Sequence, residues 1–210
     1  MTTRIKICGI TQPQDARAAI DAGADALGFV FFSGSPRNAN VQQTAAIVAE
    51  MPAFVTCVGL FVNASPAEVD TVLAAIPLDL LQFHGDEEPG YCEQFSRPYI
   101  KAIRVGPETD LLECSRLYSG ARGLLLDAHV PGSYGGTGQT FDWARIPAGL
   151  GKPVILSGGL NPRNVFSAVR SVKPWAVDVS SGVEAENGPK GIKDADRIRE
   201  FISEVKRADV

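Results

Sequence analysis

Cys8 and Asp127 each close a short apolar run, in RIKIC and in GLLLD, and a thiol with a carboxyl can serve as a base and an acid. Two further runs, PVIL and AVDV, end in the turns Ser157-Gly158-Gly159 and Ser180-Ser181-Gly182. Glycine-bearing turns of this kind leave backbone N–H groups pointing at one spot with little side-chain bulk in the way, which suits a phosphate. A proton-transfer pair beside an anion cradle is the chemistry these residue types allow.

Arg37, in FFSGSPRNAN, carries a guanidinium suited to a planar carboxylate, to which it can donate two parallel hydrogen bonds; a solvated surface charge is the plainer alternative. His84, in LLQFHGDE, could contact substrate or polarise a proton transfer, and a structural hydrogen bond stands equally open. Taken singly, Cys8 also reads as a buried apolar residue and Asp127 as a turn or helix cap. Only their joint placement favours catalysis.

That placement depends on the elements. A strand-then-helix rhythm recurs about every 26 residues, which fits eight units into 210 residues. The spacing predicts strands at Arg4 to Cys8, Ala26 to Phe31, Val55 to Phe61, Leu78 to Gln82, Tyr99 to Arg104, Gly123 to Asp127, Val154 to Ser157 and Ala176 to Ser180. Helices are predicted at Pro13 to Ala22, Val41 to Glu50, Pro66 to Ala75, Pro89 to Phe95, Asp110 to Tyr118, Asp142 to Ile146, Pro162 to Val169 and Ile192 to Lys206. Thr11-Gln12-Pro13, Ser65-Pro66 and Asn161-Pro162 supply start signals, and Gly23 supplies a stop.

The fold class expected is α/β, a (β/α)8 TIM barrel occupying residues 1–210 as one domain. In a ring of eight, the first and sixth strands lie three steps apart, so Cys8 and Asp127 would face one another across the mouth. The alternation of side chains puts Ile5 and Ile7 toward the helices and Lys6 and Cys8 toward the axis. Strands one and eight become neighbours on closure, and Lys6 is expected to pair with Asp178, since either charge buried alone would be costly.

Composition sets limits. A net charge of −4 gives no general affinity for nucleic acid, and no stretch approaches the eighteen apolar residues of a membrane span. MTTRIKICGI is too short an apolar run for a signal peptide, so a cytoplasmic protein is expected. Cys8, Cys57, Cys92 and Cys114 are widely spaced, which argues against a zinc site and for free thiols. Residues His129 to Trp143 form a glycine-rich connection that suits a mobile lid or a plain surface loop.

Seven segments in order, KICGI, SPR, GLFVN, LLQFHGDE, GGTGQTFDW, LSGGLNPRNV and VDVSSGVE, resemble the phosphoribosylanthranilate isomerase family of tryptophan biosynthesis and span nearly the whole chain. The resemblance implies an Amadori rearrangement of a small phosphorylated substrate, N-(5-phosphoribosyl)anthranilate, to 1-(2-carboxyphenylamino)-1-deoxyribulose 5-phosphate, with no metal and no cofactor. It implies Asp127 as general acid toward the furanose ring oxygen and Cys8 as base at C2′. Arg37 would hold the anthranilate carboxylate, the backbone around Gly158, Gly159, Ser181 and Gly182 the phosphate, and His84 and Asp178 join the substrate-binding set. Two small departures are Ser157, where alanine is common, and Lys190, where proline is frequent.

A free thiol is only about 3% thiolate at pH 7, so Cys8 as a base needs surroundings that favour the anion, and Lys6 is the candidate. Asp127 has to carry its proton near neutrality, which an enclosed apolar rim or an anionic substrate would promote. Indole-glycerol-phosphate synthase and ribulose-phosphate epimerase fit less well: the first uses lysine with glutamate behind an extra N-terminal segment, and the second needs metal-binding histidines, where this chain has His84 and His129. A non-catalytic sugar-phosphate or anthranilate sensor would keep Arg37 and the turns but would not need both Cys8 and Asp127. No motif encodes an oligomeric state, and a monomer is expected over a dimer.

Overall fold

The computed structural model describes residues 2–129, 138–186 and 188–210. Strands β1 (Arg4–Cys8), β2 (Ala26–Phe31), β3 (Thr56–Phe61), β4 (Leu80–Phe83), β5 (Tyr99–Val105), β6 (Leu124–Ala128), β7 (Val154–Leu156) and β8 (Ala176–Val179) pair in parallel, each with the next. β8 returns to β1 and closes the barrel, with Ile5 opposite Val177 and Lys6 opposite Asp178.

Helices α1 (Pro13–Ala22), α2 (Val41–Ala49), α3 (Pro66–Ala75), α4 (Pro89–Glu93), α5 (Leu111–Leu117), α6 (Val165–Val172) and α7 (Ala195–Ala208) lie between or after the strands. Local chemistry explains their ends. Ser65 and Glu68 form a reciprocal capping box at α3, and Gly23, at φ 99°, closes α1 with its N–H on the Ile20 carbonyl. Gln12, by contrast, begins α1 without a side-chain cap. α6 starts at Val165 rather than Pro162, because Asn161 and Asn164 first tie residues 161–164 into a turn. The helix expected at Asp142 to Ile146 is a single 3-10 turn, Trp143–Arg145, stopped by Pro147.

Residues 130–137, which hold most of the glycine-rich connection and its lid expectation, lie outside the described residues. No helix among the described residues is long and apolar enough to cross a membrane. All four cysteines are free thiols.

Two apolar regions position the chemistry. Ile5, Ile7 and the other outward strand residues pack under the helices in the main core, as the alternation predicts. Inside the barrel, Leu80, Ile100, Ala102, Leu125, Ile155 and Ala176 form a plug at its floor. The next inward residues stand above that plug, toward the C-terminal mouth.

Candidate active site

Cys8 is the last residue of β1 and is buried with Val30, Leu60 and Val62, inward side chains from β2 and β3 and the residue just beyond β3. Gly28 on β2 makes the space: a Cβ there would come within 2.8 Å of the Cys8 Sγ and 3.0 Å of the Lys6 Nζ. Beneath the thiol, the Lys6 Nζ donates to the Asp178 Oδ1 at 2.8 Å, and the Ser157 hydroxyl donates to Asp178 Oδ2 at 3.4 Å. The Lys6–Asp178 pair expected from strand closure is therefore present inside the barrel.

This charged layer does not make Cys8 acidic. Burial is the largest influence and raises the thiol's pKa; Lys6 pulls it down, and Asp178 pushes it up again, leaving it above its ordinary value. Lys6 acts in the direction anticipated, yet it is outweighed. Lys6 itself is held above the usual lysine range: burial opposes its charge, and Asp178 with Cys8 more than offsets that. Lys6 is thus favoured as the ammonium and Cys8 as the neutral thiol.

Asp127 lies near the end of β6. Its Oδ1 accepts from the Ala128 N–H at 2.8 Å, and its Oδ2 is 3.2 Å from the His84 Nε2. His84 follows β4, and β5 lies between β4 and β6, so the two side chains can meet only inside the barrel. Cys8 and Asp127 therefore both project inward, at the C-terminal ends of their strands.

The residues expected to form an anion cradle divide in two. Gly159, Ser181 and Gly182 line a cavity of about 670 Å³ together with Arg37, Arg163, Lys190 and Arg197. Glycine is required here: a Cβ on Gly182 would lie 1.9 Å from the Leu160 carbonyl oxygen, and Gly159 sits at φ 63° against Gln139. Gly158, at φ 81°, turns elsewhere, where a Cβ would come within 2.9 Å of the Asp127 Oδ1. It clears room for the Ala128 backbone N, 2.7 Å from such a Cβ, and for the Asp127 carboxyl rather than lining the cavity.

Arg37 is buried rather than solvated. Its Nε and Nη2 donate to the two Glu184 oxygens at 2.6 and 3.1 Å, and the Lys193 Nζ reaches Glu184 Oε1 at 3.2 Å. Burial pushes the Glu184 carboxyl up, but Arg37 and Lys193 together hold it below the usual range. Burial also holds Lys193 below the lysine range, with Glu184 pulling the other way.

Several site residues escaped the sequence reading. Glu184 and Lys193 are far from Arg37 in the chain and meet it only through barrel closure. Gln82 was more legible, since a polar residue two before His84 shares its inward parity in an otherwise apolar strand. A second cavity, of about 840 Å³, opens at the opposite end of the barrel among Arg4, Asp25, Phe54 and Trp175; its lining reaches Lys6 from below but includes none of Cys8, His84, Asp127 and Arg37.

A closed parallel barrel that gathers a thiol, a carboxyl and a glycine-lined basic cavity at the C-terminal ends of its strands is a (β/α)8-barrel enzyme. The family model for N-(5'-phosphoribosyl)anthranilate isomerase matches residues 5–204. The chain is 62% identical to N-(5'-phosphoribosyl)anthranilate isomerase of Thiobacillus denitrificans, over 98% of this chain and 99% of that one. It is 60% identical to the Pseudomonas putida KT2440 isomerase, with 98% of each covered. Among solved structures, the Thermotoga maritima phosphoribosyl anthranilate isomerase superposes with a TM-score of 0.88 at 40% identity, covering 98% of this chain and 100% of that one. A structure of phosphoribosyl anthranilate isomerase in complex with reduced 1-(o-carboxyphenylamino)-1-deoxyribulose 5-phosphate gives 0.84 at 39%, with 98% and 100% covered. The chain belongs to the N-(5'-phosphoribosyl)anthranilate isomerase family.

Proposed function

We propose that this isomerase performs the Amadori rearrangement of N-(5-phosphoribosyl)anthranilate in tryptophan biosynthesis, with Asp127 as general acid and Cys8 as general base. The observation that carries this assignment is the inward projection of both groups at one mouth, beside the glycine-lined cavity.

Asp127 gives a proton to the furanose ring oxygen as the C1′–O4′ bond breaks, leaving a protonated Schiff base. The carboxylate so formed meets two N–H donors, Ala128 on Oδ1 and His84 on Oδ2. Hydrogen bonds to a charged acceptor are the stronger kind, so these donors favour the state after proton transfer. Cys8 then takes the C2′ proton and the electrons of that C–H bond flow toward the Schiff-base nitrogen, giving an enolamine that tautomerises to the ketone. The free thiol is disfavoured as an anion by burial; the cationic Schiff base and Lys6 supply the opposing positive charge when it is needed.

Glu184 occupies the Nε and Nη2 edge of Arg37, which leaves the Nη1 and Nη2 edge for the anthranilate carboxylate. The phosphate lies in the cavity lined by Gly159, Ser181 and Gly182. The test generates the labile substrate in situ and follows its fluorescence decay. Asp127→Asn and Cys8→Ala are each expected to lower kcat at least about a hundredfold, the low end for a lost acid or base. Near-normal rates in either variant would remove that residue from its role, and binding without turnover by the unaltered protein would refute the reading.

A further inference from the structure

A polar row runs through the barrel interior from β4 to β6. Gln82 is fully buried, its Nε2 lies 2.9 Å from the His84 Nδ1, and its Oε1 has no hydrogen-bond partner among the described residues. An amide nitrogen can only donate, so Nδ1 accepts and carries no proton. The ring proton is then on Nε2, aimed at the Asp127 Oδ2 at 3.2 Å.

We propose that Gln82 is a positioning residue that keeps His84 a neutral Nε2–H donor to Asp127. The inference rests on Asp127 being the acid, and it explains a feature that packing alone leaves unexplained. A buried amide that abandons one of its own oxygens has no advantage over a leucine unless its NH2 does something. What it does is occupy the one ring nitrogen through which His84 could gain a second proton. A cationic His84 against Asp127 would hold the carboxylate ionised before substrate arrives, and the acid would have nothing to give. A neutral His84 donates to the carboxylate once formed and does not strip its proton beforehand.

The charged groups on the elements packed around this row are engaged in pairs. Lys6 is with Asp178 on β1 and β8, Arg104 of β5 is with Asp86 of the turn after β4, and Lys101 of β5 is with Glu87. Lys101 also donates to the Gly85 carbonyl at 2.7 Å, and the Gly85 N–H donates to Glu87, which fixes the turn that carries His84. The ring is thus held in place from one side and its charge is set from the other.

Long-range proton–nitrogen correlation NMR reads the imidazole protons directly, and the chain has only His84 and His129 to assign. At neutral pH the unaltered protein is expected to show His84 with one proton, on Nε2. Gln82→Glu offers Nδ1 an acceptor in place of a donor and is expected to convert His84 to the doubly protonated ring. In that variant kcat should fall at least about tenfold, one order short of the roughly hundredfold at which loss of a proton donor begins, with KM little changed. Gln82→Met, which keeps the side-chain volume but removes the donor, should free Nδ1, so that His84 no longer shows a proton on Nε2 alone; an unchanged Nε2–H spectrum in that variant would overturn the inference. A doubly protonated or Nδ1–H ring in the unaltered protein would overturn the inference, as would a Gln82→Glu enzyme with unchanged kcat. Failure of the acid assignment is separate: Asp127→Asn would then keep its rate while the His84 spectrum stayed as expected.

Discussion

Asp178→Asn alters one charge in the floor of the site and should move two observables in opposite senses. The Lys6 Nζ sits 2.8 Å from Asp178 Oδ1, and each side chain is only 6% exposed, so solvent screens the pair little. Removing one charge of a buried pair while leaving the other costs about 3–5 kcal/mol. At roughly 2–4 °C per kcal/mol for a chain of this size, Tm should fall by about 6–20 °C. The loss should be the same across neutral pH. The Lys6 pKa is raised from 10.5, so its contribution is complete below that value and is lost only as pH climbs past it.

The thiol should respond the other way. Asp178 disfavours the Cys8 thiolate and Lys6 favours it. With the carboxylate gone, Lys6 has Cys8 as its nearest potential anion. Alkylation of native Cys8 by iodoacetamide, read by peptide mass spectrometry, should therefore speed up in the variant even as the fold weakens. The comparison is clean because burial pushes Cys57 and Cys92 up to about 12 and raises Cys114 as well. An Asp178→Asn protein of unchanged Tm, or one whose Cys8 reacts more slowly than before, would refute this account of the floor.

Gly28→Ala would drive a methyl to within 2.8 Å of the Cys8 Sγ and 3.0 Å of the Lys6 Nζ, and, with Cys8 in the proposed role, should lower kcat by at least about tenfold with a near-native circular dichroism spectrum, displacement of the reacting group being enough to cost that much. Gly182→Ala meets the Leu160 carbonyl at 1.9 Å, so the cradle must shift; KM for substrate and the inhibition constant for inorganic phosphate should both rise, and unchanged values would place the phosphate elsewhere. Glu184 is held below its ordinary 4.5, so the stability it supplies is present above that pH and is lost as pH falls through the folded value. Urea titrations from about pH 5 to about pH 3 should therefore show a steeper acid loss for the unaltered protein than for Glu184→Gln, and parallel curves would contradict the sign.

The sequence by itself determined the alternation of eight strands with helices, because apolar periodicity and start signals such as Ser65-Pro66 are local. It also determined inward parity: with β1 adjoining β8, Lys6 and Asp178 could be paired from period two alone. Boundaries were less legible where long-range packing intervened. β4 starts at Leu80 because Leu78 turns aside to fill the space over Gly59, where a Cβ would lie 2.4 Å from it. Tertiary structure alone decided the electrostatic state of the site. Neither the net burial of Cys8 nor the capture of Arg37 by Glu184, 147 residues away, is encoded in a neighbouring residue. The division of the two glycines after β7, Gly158 against Asp127 and Ala128 and Gly159 lining the basic cavity, likewise follows from what closure of the ring brings against each of them. Patterns of period two and 3.6 fix which way a side chain points, whereas its charge depends on every group the fold packs around it.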